Sequence, residues 1–402
     1  MAKRKPTKKE NLVTILSSIN DPRVDRTKAH NLCDILTMSL CGMLCGHSDF
    51  TVMAEFAKAR KTWFESFLEL PGGIPSHDTF GRVFAAIDPD EFLSAFVRWT
   101  RTVRHLCGSG VVAIDGKALR RAKEAGDQAP VIVGAWGAQA GISLGQVKVD
   151  EKSNEWEPSG HRLPSKNHES SQITALPELL DTLGIKGCII TIDAMGCQKK
   201  VARKIRAKGA DYILALKDNQ GNLHDLAKHF LDGMIELGPE GNNYHESEEE
   251  RGHGRVEIRR CWVCDQLDEW LPELLESYSE WEGLKSIAAV ECERTVDGKT
   301  TVCRRYFITS LGADAKVSAE AVREHWGIEN SLHWVLDMTW REDESRARAG
   351  DAAQNLSSMR RLAHNLIKTE DPDSKKSIRM RTKIANWDTD YLLKLIGVKL
   401  DA

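Results

Sequence analysis

Apolar residues follow a helical spacing along the first quarter of the chain. Between Asn31 and Ala59 they recur with a long periodicity that favours helix. Further on, Asp88-Pro89-Asp90-Glu91 is typical of a helix start, because it supplies a capping aspartate, a first-turn proline and a glutamate three residues later. Residues 1–108 are therefore predicted to form a helical N-terminal domain, and the pattern fits a packing module as well as a binding module.

From Val111 onward the pattern changes to short apolar runs that alternate with helices. Strands that first pair locally and then alternate with helices predict a mixed α/β sheet. The predicted strands are Val111–Asp115, Val131–Trp136, Leu144–Val149, Cys188–Asp193 and Tyr212–Leu216. The predicted helices between and after them are Gln172–Leu183, Gln198–Lys208 and Leu223–Leu231.

The remainder of the chain is predicted to be first β-rich and then helical. Residues from about 235 to 300 alternate apolar and polar positions, which predicts a β-rich insertion before the chain returns to the sheet. Ala319–Asp337 has the apolar spacing of a strong helix. Residues 371–402 are predicted to form a basic helical C-terminal tail.

Two of the predicted strands end on an aspartate. Asp115 closes the first apolar run and Asp193 closes the fourth. Ligand sites of α/β sheets lie outside the carboxyl ends of the strands, so the two carboxylates converge if these strands are neighbours. A single aspartate after an apolar run is often only a turn residue, but two in one domain favour a shared site.

A glutamate lies within the apolar stripe of the long C-terminal helix. Glu329 falls on the same helical face as Val322, Trp326, His333 and Leu336. A buried carboxylate is costly unless it pairs with a cation or coordinates a metal. We therefore expect an inward-facing Glu329, and an ion pair with a neighbouring histidine or arginine remains an alternative to metal binding.

The three carboxylates together suit a divalent metal centre. Oxygen ligands favour Mg²⁺ or Mn²⁺, and two such ions about 3.5–4 Å apart can drive phosphodiester chemistry. Competing sites are less well supported. The sequence has no Walker-type glycine-rich loop and no Gly-x-Ser-x-Gly elbow, and Lys117 stands where an aspartyl-phosphate enzyme carries its second aspartate.

Composition and charge fit a globular protein whose contacts with nucleic acid are local. The net charge is −3, so binding to a polyanion must come from basic patches. Ten scattered cysteines and the lack of an apolar run of membrane length favour a cytoplasmic protein. The candidate contacts with nucleic acid, each of which could also be ordinary surface charge or a loop cap, are Lys117, Lys199, Lys200, Arg203, Lys217, Asn219, Arg255, Arg259, Arg323 and His325.

Several ordered motifs resemble one family along nearly the whole chain. The chain resembles the ISAs-type insertion-sequence transposases, the group that includes the H-repeat-associated proteins. Each motif alone is weak, but the combination and order are specific. The motifs are Ile74-Pro-Ser-His-Asp-Thr-Phe-Gly-Arg82, Ala113-Ile-Asp-Gly-Lys117, Thr191-Ile-Asp-Ala-Met-Gly-Cys-Gln198, Leu216-Lys-Asp-Asn-Gln220, Gly252-His-Gly-Arg-Val-Glu257, His325-Trp-Gly-Ile-Glu-Asn-Ser-Leu-His-Trp334 and Arg341-Glu-Asp343.

The resemblance implies an RNase H-like catalytic domain over residues 109–370, with Asp115, Asp193 and Glu329 as a DDE triad. It implies cleavage and strand transfer on double-stranded DNA with two Mg²⁺ or Mn²⁺ ions, a homodimer assembled on DNA, and a nucleoid-associated protein. Residues 1–108 would bind the element's ends. A catalytically inactive or domesticated DNA-binding relic, and an RNase H-like nuclease that cuts without joining, remain alternatives.

The chain departs from related transposases at several signature positions. A Tyr-Arg-Glu-Lys signature surrounds the glutamate in those relatives, whereas this chain has Val322, His325 and Leu336 at the other three positions. Asp218 stands where a glycine is expected in the Lys-x-Asn-Gln segment. These changes alter the side chains expected to grip phosphate, although His325 can still serve.

Overall fold

A mixed sheet forms the centre of the computed structural model, which describes residues 12–123, 128–149, 168–252, 254–267 and 280–398. The helices are α1 Leu12–Leu16, α2 Leu32–Leu44, α3 Phe50–Ala59, α4 Lys61–Glu65, α5 His77–Ala86, α6 Pro89–Val103, α7 His168–Thr182, α8 Lys199–Ala207, α9 Gly221–Leu237, α10 Ala315–His325, α11 Trp334–Trp340, α12 Ala352–Glu370, α13 Ile378–Trp387 and α14 Thr389–Ile396. The strands are β1 Val111–Ala118, β2 Val131–Gly137, β3 Ile142–Lys148, β4 Ile189–Ile192, β5 Asp211–Leu216, β6 Asn243–Glu246, β7 Glu250–Gly252, β8 Arg255–Cys264, β9 Ser286–Val296 and β10 Lys299–Thr309.

The first five strands form the RNase H-like part of the sheet. Their spatial order is β3-β2-β1-β4-β5, in which β1 to β3 pair antiparallel and β4 and β5 run parallel to β1. All seven residues of β2 are buried, as expected for a strand covered on both faces. The expected α/β architecture with flanking helices is therefore confirmed.

The β-rich segment predicted near residues 235–300 continues the same sheet. β10 pairs antiparallel with β5, and β9, β8 and β6 follow outward in that order. β9 and β10 pair along eleven residues each, so the backbone ladder carries the sheet beyond the edge that β5 would otherwise leave open. The segment, predicted as a β-rich insertion before a return to the sheet, thus supplies four strands to the central sheet in addition to β10.

The N-terminal helices share their core with the sheet. Twelve residues of α2 are buried, and the long helix α12 packs against α2, α5, α6 and β3 at once. The apolar run predicted from Asn31 to Ala59 is two helices, because the chain turns at Gly46 with φ +87° and Asp49 caps the start of α3. Helices are also present in the predicted C-terminal tail, as α13 and α14.

Among the described helices, none combines the length and the apolar character that a membrane span requires.

A buried charge cluster fixes the loop after α11 onto α12. Glu342 Oε1 lies 3.6 Å from Arg360 Nη1 and 3.3 Å from Arg361 Nη1, and all three side chains are at most 1% exposed. Burial works to raise the pKa of Glu342, but the two guanidinium groups hold it below its ordinary value. The loop after α11 therefore depends on this one carboxylate for its position.

We expect Glu342→Gln to destabilise the fold by about 3 kcal/mol, because it leaves two buried guanidinium groups without a counter-charge. Chemical denaturation followed by tryptophan fluorescence measures the loss. Glu344→Gln is the matched control, since Glu344 is 48% exposed and pairs with Arg341 on the surface. Equal stability of the two variants would contradict a structural role for the cluster.

Candidate active site

The two strand aspartates meet at one edge of the sheet. β1 and β4 are parallel neighbours, and Ile114 pairs with Ile192, so Asp115 and Asp193 follow at equivalent positions. β1 continues past Asp115 because it still pairs with β2, whereas β4 ends at Ile192 and the chain turns. The Asp115 side chain is 25% exposed and that of Asp193 is 50% exposed. The convergence expected from the two apolar runs is present.

The glutamate enters from a helix whose regular winding is interrupted. Where one helix was predicted over Ala319–Asp337, α10 gives way to a π-helix over Ile328–His333 and then to α11. The N–H of Trp334 donates to the carbonyl of Glu329, five residues back. A π-turn holds an extra residue and shifts the buried face.

This shift overturns the expectation that Glu329 faces inward. The Glu329 side chain is 58% exposed, while His333, one turn further, is 4% exposed. Val322 and Leu336 are buried as predicted. The extra residue of the π-turn rotates Glu329 out of the apolar stripe, so the carboxylate lies at the open rim of the site rather than in the core.

A histidine joins the glutamate to the first aspartate. His333 Nδ1 lies 2.9 Å from Glu329 Oε2 and 3.6 Å from Asp115 Oδ2. Among the described residues, Asp115, Glu329 and His333 form a group whose ligand atoms all lie within 4.8 Å of one another. Opposite ligands of one ion at about 2.2 Å would be about 4.4 Å apart, so this donor set fits a divalent cation.

Asp193 lies outside that group and has its own histidine. His325 Nε2 is 3.6 Å from Asp193 Oδ1, and His325 Nδ1 is 2.9 Å from Thr191 Oγ1. This contact with His325 lowers the pKa of Asp193 below its ordinary value, although burial opposes the shift. His325 is only 12% exposed, and this residue, predicted to meet phosphate, lies beside Asp193 and contacts the hydroxyl of Thr191.

The carboxylates of the group differ in electrostatic surroundings. Burial raises the pKa of Asp115, and the nearby charge of Asp193 adds to this, while His333 works in the opposite direction. The hydrogen bond from His333 lowers the pKa of Glu329 despite the cost of desolvation. A divalent cation between the carboxylates would relieve the unfavourable charge on Asp115, which is the arrangement expected of a metal centre.

Lys117 links the strand of Asp115 to the loop after α11. Its Nζ lies 2.7 Å from Asp337 Oδ2 and 3.1 Å from Asp343 Oδ1, and the side chain is 8% exposed. Arg120 Nε adds a contact of 3.1 Å to Asp343 Oδ2. The lysine predicted to contact phosphate therefore already neutralises two aspartates, and it holds the Arg341-Glu-Asp343 motif against β1.

The segment after β5 supports the loop that follows Asp193. Asn219 Nδ2 donates to the carbonyl of Ala194 at 2.6 Å, and Gln220 Nε2 donates to the carbonyl of Cys197 at 2.9 Å. Lys217 is exposed and its charge helps to lower the pKa of Asp193. Sequence analysis missed this supporting role of Asn219, for which the only signal was its position at the end of a strand next to β4.

Most of the other predicted contact residues are paired with glutamates. Glu250 forms ion pairs with Arg259 at 3.0 Å and with Arg323 at 3.2 Å, and Arg255 forms an ion pair with Glu257 at 3.1 Å. On α8, Lys199 pairs with Glu280, while Lys200 and Arg203 are exposed. The arginines therefore form a charge network on the outer strands, and the two exposed cations of α8 remain open to solvent.

Comparison with known proteins agrees with this geometry. Residues 107–366 match the model of the Transposase DDE domain, and residues 13–100 match the model of a DDE_Tnp_1-associated region. The chain belongs to the DDE transposase family.

Relatives of this transposase cover nearly its full length. It is 35% identical to "H repeat-associated putative transposase YhhI" of Escherichia coli K12 over 394 residues, which span 96% of this chain and 97% of the relative. It is 35% identical to "Putative transposase YncI" of E. coli O157:H7 over 96% of this chain and 95% of that one. It is 40% identical to "Uncharacterized protein in dhlA 3'region" of Xanthobacter autotrophicus over 74% of this chain and 93% of the relative. The resemblance to the H-repeat-associated group is thereby confirmed.

Opposite effects on stability are expected from removing the two aspartate charges of this transposase. Because the folded state disfavours ionised Asp115, Asp115→Asn should raise the melting temperature of the metal-free protein at pH 7 by about 1–3 °C. Because it favours ionised Asp193, Asp193→Asn should lower the melting temperature.

The Asp115 difference should be full above the raised pKa of its carboxyl and should fade as the pH falls from there towards 3.8, whereas the Asp193 difference should be full above 3.8 and should fade as the pH falls below that value. Differential scanning fluorimetry with a chelator at several pH values measures them. Shifts of the same sign at pH 7 for both variants would contradict the electrostatic account of the site.

Proposed function

We propose that the chain is an active DDE transposase that cuts DNA at the ends of an insertion sequence and joins the freed 3′-hydroxyls to target DNA. The observation that carries the proposal is that Asp115 and Asp193 lie side by side on neighbouring strands, while Glu329 of the interrupted helix lies beside Asp115 and His333. A relic under no constraint to cut DNA has no need for three carboxylates at one edge of a sheet.

In the proposed reaction the carboxylates of Asp115, Asp193 and Glu329 hold two divalent ions, Mg²⁺ or Mn²⁺. When bound, such ions activate a water or a 3′-hydroxyl and stabilise the leaving oxygen of an in-line displacement at phosphorus. The side chains of the site keep these carboxylates in place: His325 lies beside Asp193, and His333 lies between Asp115 and Glu329. No covalent link between protein and DNA is required, so we assign no serine or tyrosine nucleophile.

A groove beside Glu329 is lined by more basic than acidic side chains, which suits the backbone of DNA. Asn330 and Ser331, which directly follow Glu329, line this space of about 1140 Å³. Among its described lining residues, six cations outnumber three glutamates. We call it the basic groove, and its cations are Arg251, Arg255, Arg323, Lys368, Lys376 and Arg381. Contacts with phosphates position a duplex and carry little sequence information.

Recognition of the element's ends is assigned to the N-terminal helices of residues 1–108, of which residues 1–11 lie outside the described part. Helix α5 is capped by Ser76 and presents His77, Asp78 and Arg82 at the surface. Polar side chains of this kind can reach base edges when a helix enters the major groove. Joining two ends requires two active sites, so the proposal includes a homodimer assembled on DNA at the nucleoid.

The decisive experiment measures nicking and joining of DNA that carries the element's ends. We expect cleavage to require Mg²⁺ or Mn²⁺, and Asp193→Asn to reduce it at least about 1000-fold with DNA affinity kept, because the variant loses a charged metal ligand. Asp390→Asn is the matched control, since Asp390 is an exposed carboxylate on α14 and belongs to none of the candidate site residues. Cleavage without joined products would favour a nuclease, and binding without cleavage would favour a relic.

The basic groove is tested by the salt dependence of DNA binding. Lys368→Ala with Lys376→Ala should weaken binding to duplexes of any sequence and reduce the slope of log K against log salt by about 2. The control is Lys316→Ala, because Lys316 is an exposed lysine near the start of α10, away from the groove lining. An unchanged slope in the double variant would remove these lysines from the DNA path.

A further inference from the structure

We propose that His333 is a protein ligand of the ion held by Asp115 and Glu329, and that its nitrogen makes this position of the site select Mn²⁺ over Mg²⁺. The inference rests on the proposed function, because it concerns the metal centre of the same reaction. It adds a fourth protein residue and a metal preference that the three carboxylates alone do not imply.

The position of the imidazole supports direct coordination. His333 Nδ1 is 2.9 Å from one carboxylate oxygen and 3.6 Å from the other, so it lies between Glu329 and Asp115. The three ligand atoms lie within 4.8 Å of one another, close to the span of ligands around a single ion. An ion bound between the two carboxylates would therefore have Nδ1 beside it.

The burial of His333 separates it from a surface ion pair. The ring is 4% exposed, although Glu329 beside it is 58% exposed. Its Nε2 atom is buried and has no hydrogen-bond partner within the described part of the chain. Nδ1 is therefore the ring nitrogen that makes polar contacts, and it faces the two carboxylates. A cation placed there is the partner that all three groups share.

The π-helix is what brings these donors together. Glu329 and His333 stand four residues apart inside Ile328–His333, and the wider turn leaves one donor at the rim and the other in the interior. π-turns inside helices occur often at functional sites, because they change which side chains a helix presents.

The donor set decides the metal. Mg²⁺ prefers oxygen ligands in near-ideal octahedral geometry, whereas Mn²⁺ binds carboxylate oxygen and, as a transition-metal ion, accepts an imidazole nitrogen more readily than Mg²⁺ does. A position built from two carboxylates and one imidazole should therefore bind Mn²⁺ more tightly than Mg²⁺. Asp193 lies outside the group and next to Asp115, so it remains free to hold a second ion through oxygen.

The test uses the full-length protein with Mn²⁺ alone as the probe. Pulsed electron paramagnetic resonance should detect coupling between bound Mn²⁺ and a directly bonded ¹⁴N nucleus. His333→Gln should abolish this coupling and raise the Kd for Mn²⁺ about 10–100-fold, while the Kd for Mg²⁺ changes less than about twofold. Titration calorimetry measures both constants.

The matched control is His325→Gln, which removes the other histidine of the site, 3.6 Å from Asp193 and outside the group of three. It should keep the nitrogen coupling. Because the coupling is read from the unaltered protein, a folding defect in His333→Gln leaves the test intact, and His333→Asn provides a second substitution.

Two negative results have different meanings. Mn²⁺ bound to the unaltered protein without nitrogen coupling overturns the role of His333 and leaves the proposed function standing. Failure of the unaltered protein to bind Mn²⁺ at all overturns both the inference and the metal-dependent mechanism. Coupling that survives in His333→Gln but disappears in His325→Gln would show that His325 supplies the nitrogen. This result also overturns the inference.

Discussion

The parallel pairing of β1 with β4 is the constraint on which the site depends. With Ile114 opposite Ile192, the residues that follow both strands lie side by side, and both are aspartates. The pairing is stabilised by burial on both faces, since Val112, Ala113, Ile114 and Ile190 are at most 1% exposed. Any register shift would move one carboxylate along the edge or to the other face of the sheet. The chemistry therefore rests on apolar residues that never touch a substrate.

The site is organised as carboxylates flanked by histidines. Asp193 has His325 beside it, and Asp115 and Glu329 share His333. The surroundings shift the pKa values of the three acids in different directions. Burial raises the pKa of Asp115, while the histidines lower the pKa values of Asp193 and Glu329. Such an arrangement keeps negative charge concentrated at one edge of the sheet, where a cation is needed to balance it.

Several residues that look like contacts with DNA are instead supports of the site. Lys117 is enclosed by Asp337 and Asp343, and Asn219 holds the backbone after Asp193. Arg259 and Arg323 share Glu250 on the outer strands. A basic residue near an active site can pair with a carboxylate of the protein or with a phosphate, and these cations have a carboxylate within about 3 Å. The basic groove, formed where α12 and α13 approach β7 and β8, shares Arg323 with this network and adds Lys368 and Lys376.

The sequence by itself determined the strands that lead into Asp115 and Asp193, the capped helix α6 and the mixed sheet, because these depend on local apolar runs and caps. It also singled out the three carboxylates as candidates. Only the tertiary structure decided that the β-rich segment extends the central sheet, that Glu329 faces outward in a π-turn, and that His333 and Asn219 contact the groups around the candidate site. Contacts between residues far apart in the chain decide which strands pair, where a helical turn holds an extra residue and which carboxylate a cation meets. A local sequence pattern does not record such contacts.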